Sequence, residues 1–334
     1  MAIILDALDR KVFAILDSNA RMSTSDIARK VRYGRDIVHY RVERLFREGV
    51  LVGTQAIINP YQLGFTLFKS YVRLKNDQRR TKSLLARLEA DPNVFCVALC
   101  DGSWDLIFNT LAVSPYHFDQ IQSRLLAEAQ TLILESDLAV VISQALFPRG
   151  YITGKQGKPF LLGGEPKVQG IDAVELGILD LLAKDARITV TELARATDCS
   201  VAAVQRRIER LEEVGIIVGY RAIPNLSALQ MTNFKVQLEL SSYAPKDLAV
   251  VREFVAQHAY ITKVIGQLGA VRIELGVEAK GYEHFNAVAQ EIRGAFPELI
   301  LSLSTILVRE EKYRWLNRGV SQGVELVLNG VIAA

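Results

Sequence analysis

The chain has 334 residues, of which 50% are hydrophobic and 23% charged, with a formal net charge of +3. That length suits two or more domains, and the composition excludes a fibrous or disordered protein. A mean hydropathy of +0.16 comes with no run of about 18 uncharged apolar residues, so no transmembrane helix is expected. The best stretch, Leu132–Phe147, is broken by Glu135, Ser136 and Asp137. The N-terminus carries Asp6 where a signal peptide needs basic residues. With three cysteines, pairing cannot be complete, and a reducing cytoplasm is the expected location.

The sequence is written twice. Shifted by 166 residues, Leu5–Ile57 lies over Ile171–Ile223 without a gap. Ala20-Arg21 meets Ala186-Arg187, Arg41-x-Glu43-Arg44-Leu45 meets Arg207-x-Glu209-Arg210-Leu211, and Gly49 meets Gly215. Such agreement at apolar, charged and glycine positions together indicates duplication of a whole folding unit.

In chain order, Leu5, Leu8, Val12, Ile15 and Leu16 predict an amphipathic first helix, repeated by Ile171, Val174, Ile178, Leu181 and Leu182. Ser23-x-x-Asp26 and Thr189-x-x-Glu192 mark the start of a short second helix. A third follows almost at once, with Val38, Val42 and Leu45 (Val204, Ile208 and Leu211 in copy two) as its apolar stripe and Gly49 or Gly215 as its stop. Short helix, tight turn and longer helix with a polar outer face spell a helix-turn-helix.

Around the third helix of copy one lie Arg29, Lys30, Arg32, Arg35, His39, Tyr40, Arg41, Arg44 and Arg47. Residues 1–59 hold ten Lys/Arg against seven Asp/Glu, and most of the acids (Asp6, Asp9, Asp17 and Asp26) sit on the first helix or at the second helix's cap. A basic face containing an aromatic suits phosphate neutralisation and groove insertion, which points to double-stranded DNA. Residues 171–224 reverse the balance, seven against nine, and present Gln205, Arg206, Arg207 and Arg210. The two heads are therefore expected to read DNA unequally.

Behind each head, β-branched and apolar alternation predicts a strand at Val50–Ile58. There follow strand Phe65–Leu74, helix Arg79–Ala90, strands Val94–Cys100 and Trp104–Leu111, helix Pro115–Ala127 and strand Leu132–Leu146; copy two repeats the order from Thr232 to Val308. A β-α-β-β-α-β order is ferredoxin-like. The fold class expected is α+β: two tandem copies, each a helix-turn-helix (winged-helix-like) head followed by a ferredoxin-like sheet domain. The expected divisions are 1–60, 61–147, a linker at 148–170, 171–225, 226–318, and an apolar tail at 319–334 of unassigned role. The linker, with three prolines and six glycines, is expected to sustain neither helix nor strand, with Phe160-Leu161-Leu162 as an apolar island docking on one half.

This arrangement resembles the leucine-responsive regulatory protein/AsnC (Lrp/AsnC) family of prokaryotic transcription regulators. The residues that carry the resemblance are Ile27-Ala28, Val38-x-x-Arg41-Val42-x-x-Leu45, Gly49-Val50, Asn59-Pro60-x-x-Leu63-Gly64 and Asp101-Gly102-Ser103-Trp104-Asp105. It implies a fused pseudo-dimer that self-associates through its sheet domains. It also implies an amino-acid-like effector near the last loop, held by Asp101, Gly102, Trp104 and Asp105. A hairpin turn with a satisfied aspartate and a half-buried tryptophan is the plainer reading of the same residues. Copy two has Leu268-Gly269-Ala270-Val271-Arg272 there, so the effector is expected in copy one alone.

No metal-ligand spacing, phosphate loop or nucleophile elbow is present, so no cofactor, metal or catalytic residue is expected. Two rivals to the regulator remain: an interaction scaffold with inactive heads, and a sirohaem decarboxylase, whose proteins resemble this family. The decarboxylase's histidine-containing motifs are missing at Cys96–Cys100, Trp104–Ile107 and Lys263–Gly266.

Overall fold

The computed structural model describes residues 4–313; the tail at 319–334 lies outside them. Helix α1 (Ala7–Ser18) starts at Asp6, whose carboxylate accepts from the Leu8 and Asp9 amides while Asp9 caps in return. Helices α2 (Thr24–Val31) and α3 (Arg35–Arg47) complete the first three-helix head, followed by strand β1 (Leu51–Ile58). Then come β2 (Thr66–Leu74), α4 (Gln78–Ala90), β3 (Val94–Gly102), β4 (Leu106–Ala112), α5 (Pro115–Leu126) and β5 (Ile133–Leu146). After β6 (Phe160–Gly163), copy two supplies α6 (Ala173–Lys184), α7 (Val190–Ala196), α8 (Val201–Glu213) and β7 (Ile217–Pro224). It ends with β8 (Thr232–Leu240), α9 (Pro245–Gln257), β9 (Ile261–Leu268), β10 (Ile273–Ala279), α10 (Gly281–Ala295) and β11 (Ile300–Tyr313).

The copies are joined within the chain. Long strand β5 pairs with its own β2 through Ile133–Val141 and then with β9 of copy two through Val140–Leu146. Strand β11 does the converse, pairing with β8 and then with β3 of copy one. The order β2-β4-β3-β11-β8-β10-β9-β5, with β5 returning to β2, closes a ring of strands in which each half-sheet pairs at both ends with the other copy. Helices α4, α5, α9 and α10 cover the outer face. Stacked Phe68–Phe118 in copy one (centroids 4.4 Å apart) and Phe234–Phe285 in copy two (4.1 Å) mark equivalent cores.

The heads pair too. Strands β1 and β7 form a two-stranded antiparallel sheet. Arg21 donates to the Ala186 and Ile188 carbonyls at 2.7 and 3.0 Å, and Arg187 returns the contact to Ala20 and Met22 at 2.7 and 3.2 Å.

The segment expected to be an unstructured linker is ordered. Phe160–Gly163 forms β6 because it finds the backbone of Ser143–Leu146 on β5 open for pairing. Lys167 and Gln169 then donate to the Tyr61 and Gln62 carbonyls, and Val168 bridges Leu63. Proline and glycine content signals turns, but it does not report an available strand edge.

Heads and sheet are tied at one buried node. Asp17 of α1 takes Arg149 at 2.9 Å and Arg221 of β7 at 2.8 Å, while Arg149 also grips Glu278 of β10 with two bonds of 2.9 Å. Burial raises the Asp17 carboxyl, but Arg221 and Arg149 outweigh it and hold the group below the ordinary carboxylate range. A lowered acid contributes stability that is complete above its unfolded value, about pH 4, and is lost as pH falls below that. Asp17→Asn is expected to cost about 2 kcal/mol at neutral pH and to flatten the acid limb of a stability-against-pH curve from urea unfolding. An unchanged acid limb would mean that Asp17 does not couple the layers.

Candidate nucleic-acid interface

Each head presents one outward helical face. In copy one the Ser23 hydroxyl accepts from the Asp26 amide at 3.1 Å to start α2. Arg32 ends that helix in the left-handed region (φ 61°), and Gly34 opens α3. Val38, Val42 and Leu45 are buried against α1 and α2, which forces the opposite side of α3 into solvent. In copy two Thr189 and Glu192 form a reciprocal capping box, Asp198 takes the left-handed turn (φ 52°), and Ser200 caps α8.

The predicted residues divide into two groups. Arg29, Lys30, Arg32, Arg35, His39 and Tyr40 are all exposed on the α2–α3 side. The Arg29 side chain is 80% exposed beside Asp26, and the Arg47 guanidinium stands 5.6 Å from the Tyr40 ring centroid. Gln205 and Arg206 are exposed at the corresponding places on α8.

Arg41, Arg44 and Arg207 point elsewhere. Arg41 lies 2.7 Å from Asp6 and 3.1 Å from Asp9, and Arg44 lies 2.7 Å from the buried Asp9. Arg207 meets Asp172 at 2.8 Å, and Arg210 meets Glu175 at 2.6 Å. Both pairs clamp the third helix to the first. The signal was available as Asp6-x-x-Asp9 with Arg41-x-x-Arg44, echoed by Asp172-x-x-Glu175 with Arg207-x-x-Arg210. One-dimensional charge counting cannot say which arginines of a helix face a neighbouring helix.

The loop between β3 and β4 brings Asp101, Gly102, Trp104 and Asp105 together. Gly102 takes φ 116°, and a Cβ there would sit 2.7 Å from the Thr305 carbonyl, so glycine is required by the approach of β11. The Asp105 carboxylate accepts from the Leu74 amide at 2.7 Å, and Trp104 is half-buried with its ring 5.8 Å from Tyr71. Asp101 is more open, 3.1 Å from Arg309.

A cavity of about 550 Å³ separates the paired strands β1 and β7 from the sheet. Its charged residues largely answer one another: Lys235 meets Glu311 at 2.6 Å and Arg149 meets Glu278. Lys263 reaches the Tyr313 hydroxyl at 2.5 Å. Cys96 and Cys100 are buried in the sheet, where burial pushes the Cys100 thiol up to about 12, and Cys199 sits half-buried in the α7–α8 turn.

Residues 5–45 match the AsnC-type helix-turn-helix domain, and residues 171–218 match a winged helix-turn-helix DNA-binding family. An uncharacterized HTH-type transcriptional regulator of Pyrococcus abyssi is 29% identical over 131 residues, 39% of this chain and 75% of that protein. The transcriptional regulatory protein DoeX of Halomonas elongata is 31% identical over 122 residues, 36% of this chain and 77% of DoeX. In fold alone, the whole chain is similar to the siroheme decarboxylase NirDL, with a TM-score of 0.64 and 14% identity over 97% of this chain and 99% of that one. With two helix-turn-helix heads in one polypeptide and regulators for relatives, the chain belongs to the Lrp/AsnC family, present here as two family units in tandem.

Proposed function

We propose that this protein is a cytoplasmic, sequence-specific regulator of transcription that binds double-stranded DNA and has no enzymatic activity. The observation that carries the reading is the exposed group Arg29, Lys30, Arg32, Arg35, His39 and Tyr40 on the α2–α3 face. Cations beside a helix able to enter the major groove supply phosphate contacts, and His39 and Tyr40 supply base-edge contacts. Gln205 and Arg206 form a weaker second face. Arg41, Arg44 and Arg207 act as positioning residues that fix the angle of the reading helix through their carboxylate partners. An amino-acid-like effector is placed at the β3–β4 loop. There the half-exposed carboxylate of Asp101, shared with Arg309, receives an ammonium group, while Gly102, Trp104 and Asp105 shape the loop.

The fold shared with a decarboxylase does not decide activity. Selecting bound sequences from a random DNA pool, followed by mobility shifts on the winners, tests the reading. Enrichment of a defined motif is expected. A folded protein that enriches nothing would overturn it, as would loss of carboxylates from sirohaem incubated with the protein.

A further inference from the structure

A second cavity, of about 590 Å³, lies on the outer face of the sheet between α9 and the β5–β6 extension. Leu248, Arg252 and Ala256 give it one stripe of α9; Val264 and Gly266 of β9 and Ala145 of β5 form its floor. Ile142, Leu161 and Leu268 stand exposed at its rim.

This cavity is a product of divergence between the copies. Aligned on the starts of α4 and α9, β3 and β9, and β5 and β11, Ala256 corresponds to Glu89, Ala145 to Lys312 and Gly266 to Leu99. In copy one Glu89 and Lys312 meet at 2.9 Å across this very place, between α4 and the strand paired with β3. In copy two both are alanine and the leucine is glycine, so the bridge is gone and space opens. Two cations have come in at the same time: Arg252 stands where copy one has Leu85, and Arg272 where it has Asp105. Neither forms an ion pair with a carboxylate among the described residues; Arg272 lies 5.0 Å from the Tyr243 ring centroid. An apolar cavity of this size flanked by two guanidiniums without acidic partners has the chemistry of a small-molecule site for an anion with an apolar tail.

We propose that the cavity binds a medium-length monocarboxylate, with its chain along Ala145, Val264 and Gly266 and its carboxylate on Arg252 and Arg272. The proposal goes beyond DNA recognition and is tested by direct binding, so the two stand or fall separately.

Calorimetry on the full chain with hexanoate, octanoate and decanoate should show one site per chain, tightening with chain length, and decanol should bind at least tenfold more weakly than decanoate. Arg252→Gln and Arg272→Gln should each weaken decanoate about tenfold, the worth of one charge-assisted contact. Ala145→Lys with Ala256→Glu rebuilds the bridge that copy one tolerates, and should abolish binding with the circular dichroism spectrum unchanged. Equal binding of decanol, insensitivity to both arginine changes, or binding that survives the rebuilt bridge would overturn the site. So would the absence of any carboxylate binding, including the case in which sedimentation shows the patch buried between copies of the chain.

Discussion

Glu274→Ala is expected to lower folding stability by about 3–5 kcal/mol, the usual penalty for stranding one member of a buried ion pair. Glu274 of copy two meets Lys69 of copy one at 2.5 Å, and both side chains are at most 2% exposed. Tyr71 donates to the same carboxylate at 2.9 Å and also bonds Gln267. Burial opposes the charge on Glu274, yet Lys69 and Lys235 hold its carboxyl below the ordinary range; burial draws the Lys69 ammonium down to about 8. Removing the acid leaves Lys69 with neutral neighbours, Tyr71 beside it and Asn109 opposite it on β4, and with the repulsion of Lys235; the neighbouring strand of copy one supplies no second acid, because Ile107 occupies the place equivalent to Glu274. Removing both charges at once, with Lys69→Met and Glu274→Leu, should restore most of the loss, since a packed apolar pair avoids the desolvation cost. Urea unfolding of the single and double variants decides the matter. A loss below about 1 kcal/mol in Glu274→Ala would show that water reaches the pair.

The same residues suggest why the interior is polar at all. Lys69 and Lys235 are equivalent by the repeat, but their partners, Glu274 and Glu311, both belong to copy two. Two first copies facing each other would bury lysines without these acids, whereas copy two carries Lys263 as well as Lys235 against its own two acids. The charges disfavour pairing of two first copies, at a cost to intrinsic stability that an apolar core would avoid.

Much of this architecture was legible in the residues. The strand expected at Val94–Cys100 runs Val94–Gly102, and the helix expected at Arg79–Ala90 runs Gln78–Ala90. Period and caps are local signals, so they survive reading one residue at a time. The crossing of β5 from β2 to β9 was not legible, nor was the pairing of β1 with β7. Two copies of one pattern offer each strand equivalent partners in its own unit and in the other, and alternation alone does not choose between them. The orientation of Arg41 and Arg44 was hidden for a related reason. Helix-to-helix geometry, not charge content, decides whether an arginine meets a phosphate or Asp9.

That distinction shapes the second large effect. Replacing Lys30, Arg32 and Arg35 together with alanine is expected to weaken DNA binding more than ~100-fold at moderate salt and to reduce the salt slope by ~0.9 for each lost phosphate contact. These three are exposed, and their counterparts in copy two are Ala196, Asp198 and Val201, so the second head has no equivalent charge to lose. Exchanging His39 or Tyr40 should instead change the preferred sequence, by about 1–3 kcal/mol per base contact. Arg206→Ala in copy two should cost less than either. Because the reading faces differ, Arg35-Asp-Ile-Val-His39-Tyr40 against Val201-Ala-Ala-Val-Gln205-Arg206, the two-fold axis relating the heads is only approximate. A true dimer axis imposes a palindrome; this one does not. The selected site should therefore be asymmetric, with the stronger half-site lost on changing His39 or Tyr40 and the weaker on changing Gln205. Titrations at several salt concentrations, with footprints of each variant, measure both effects. A palindromic selected site, or a greater loss from Arg206→Ala than from the triple change in copy one, would reverse the ranking of the heads.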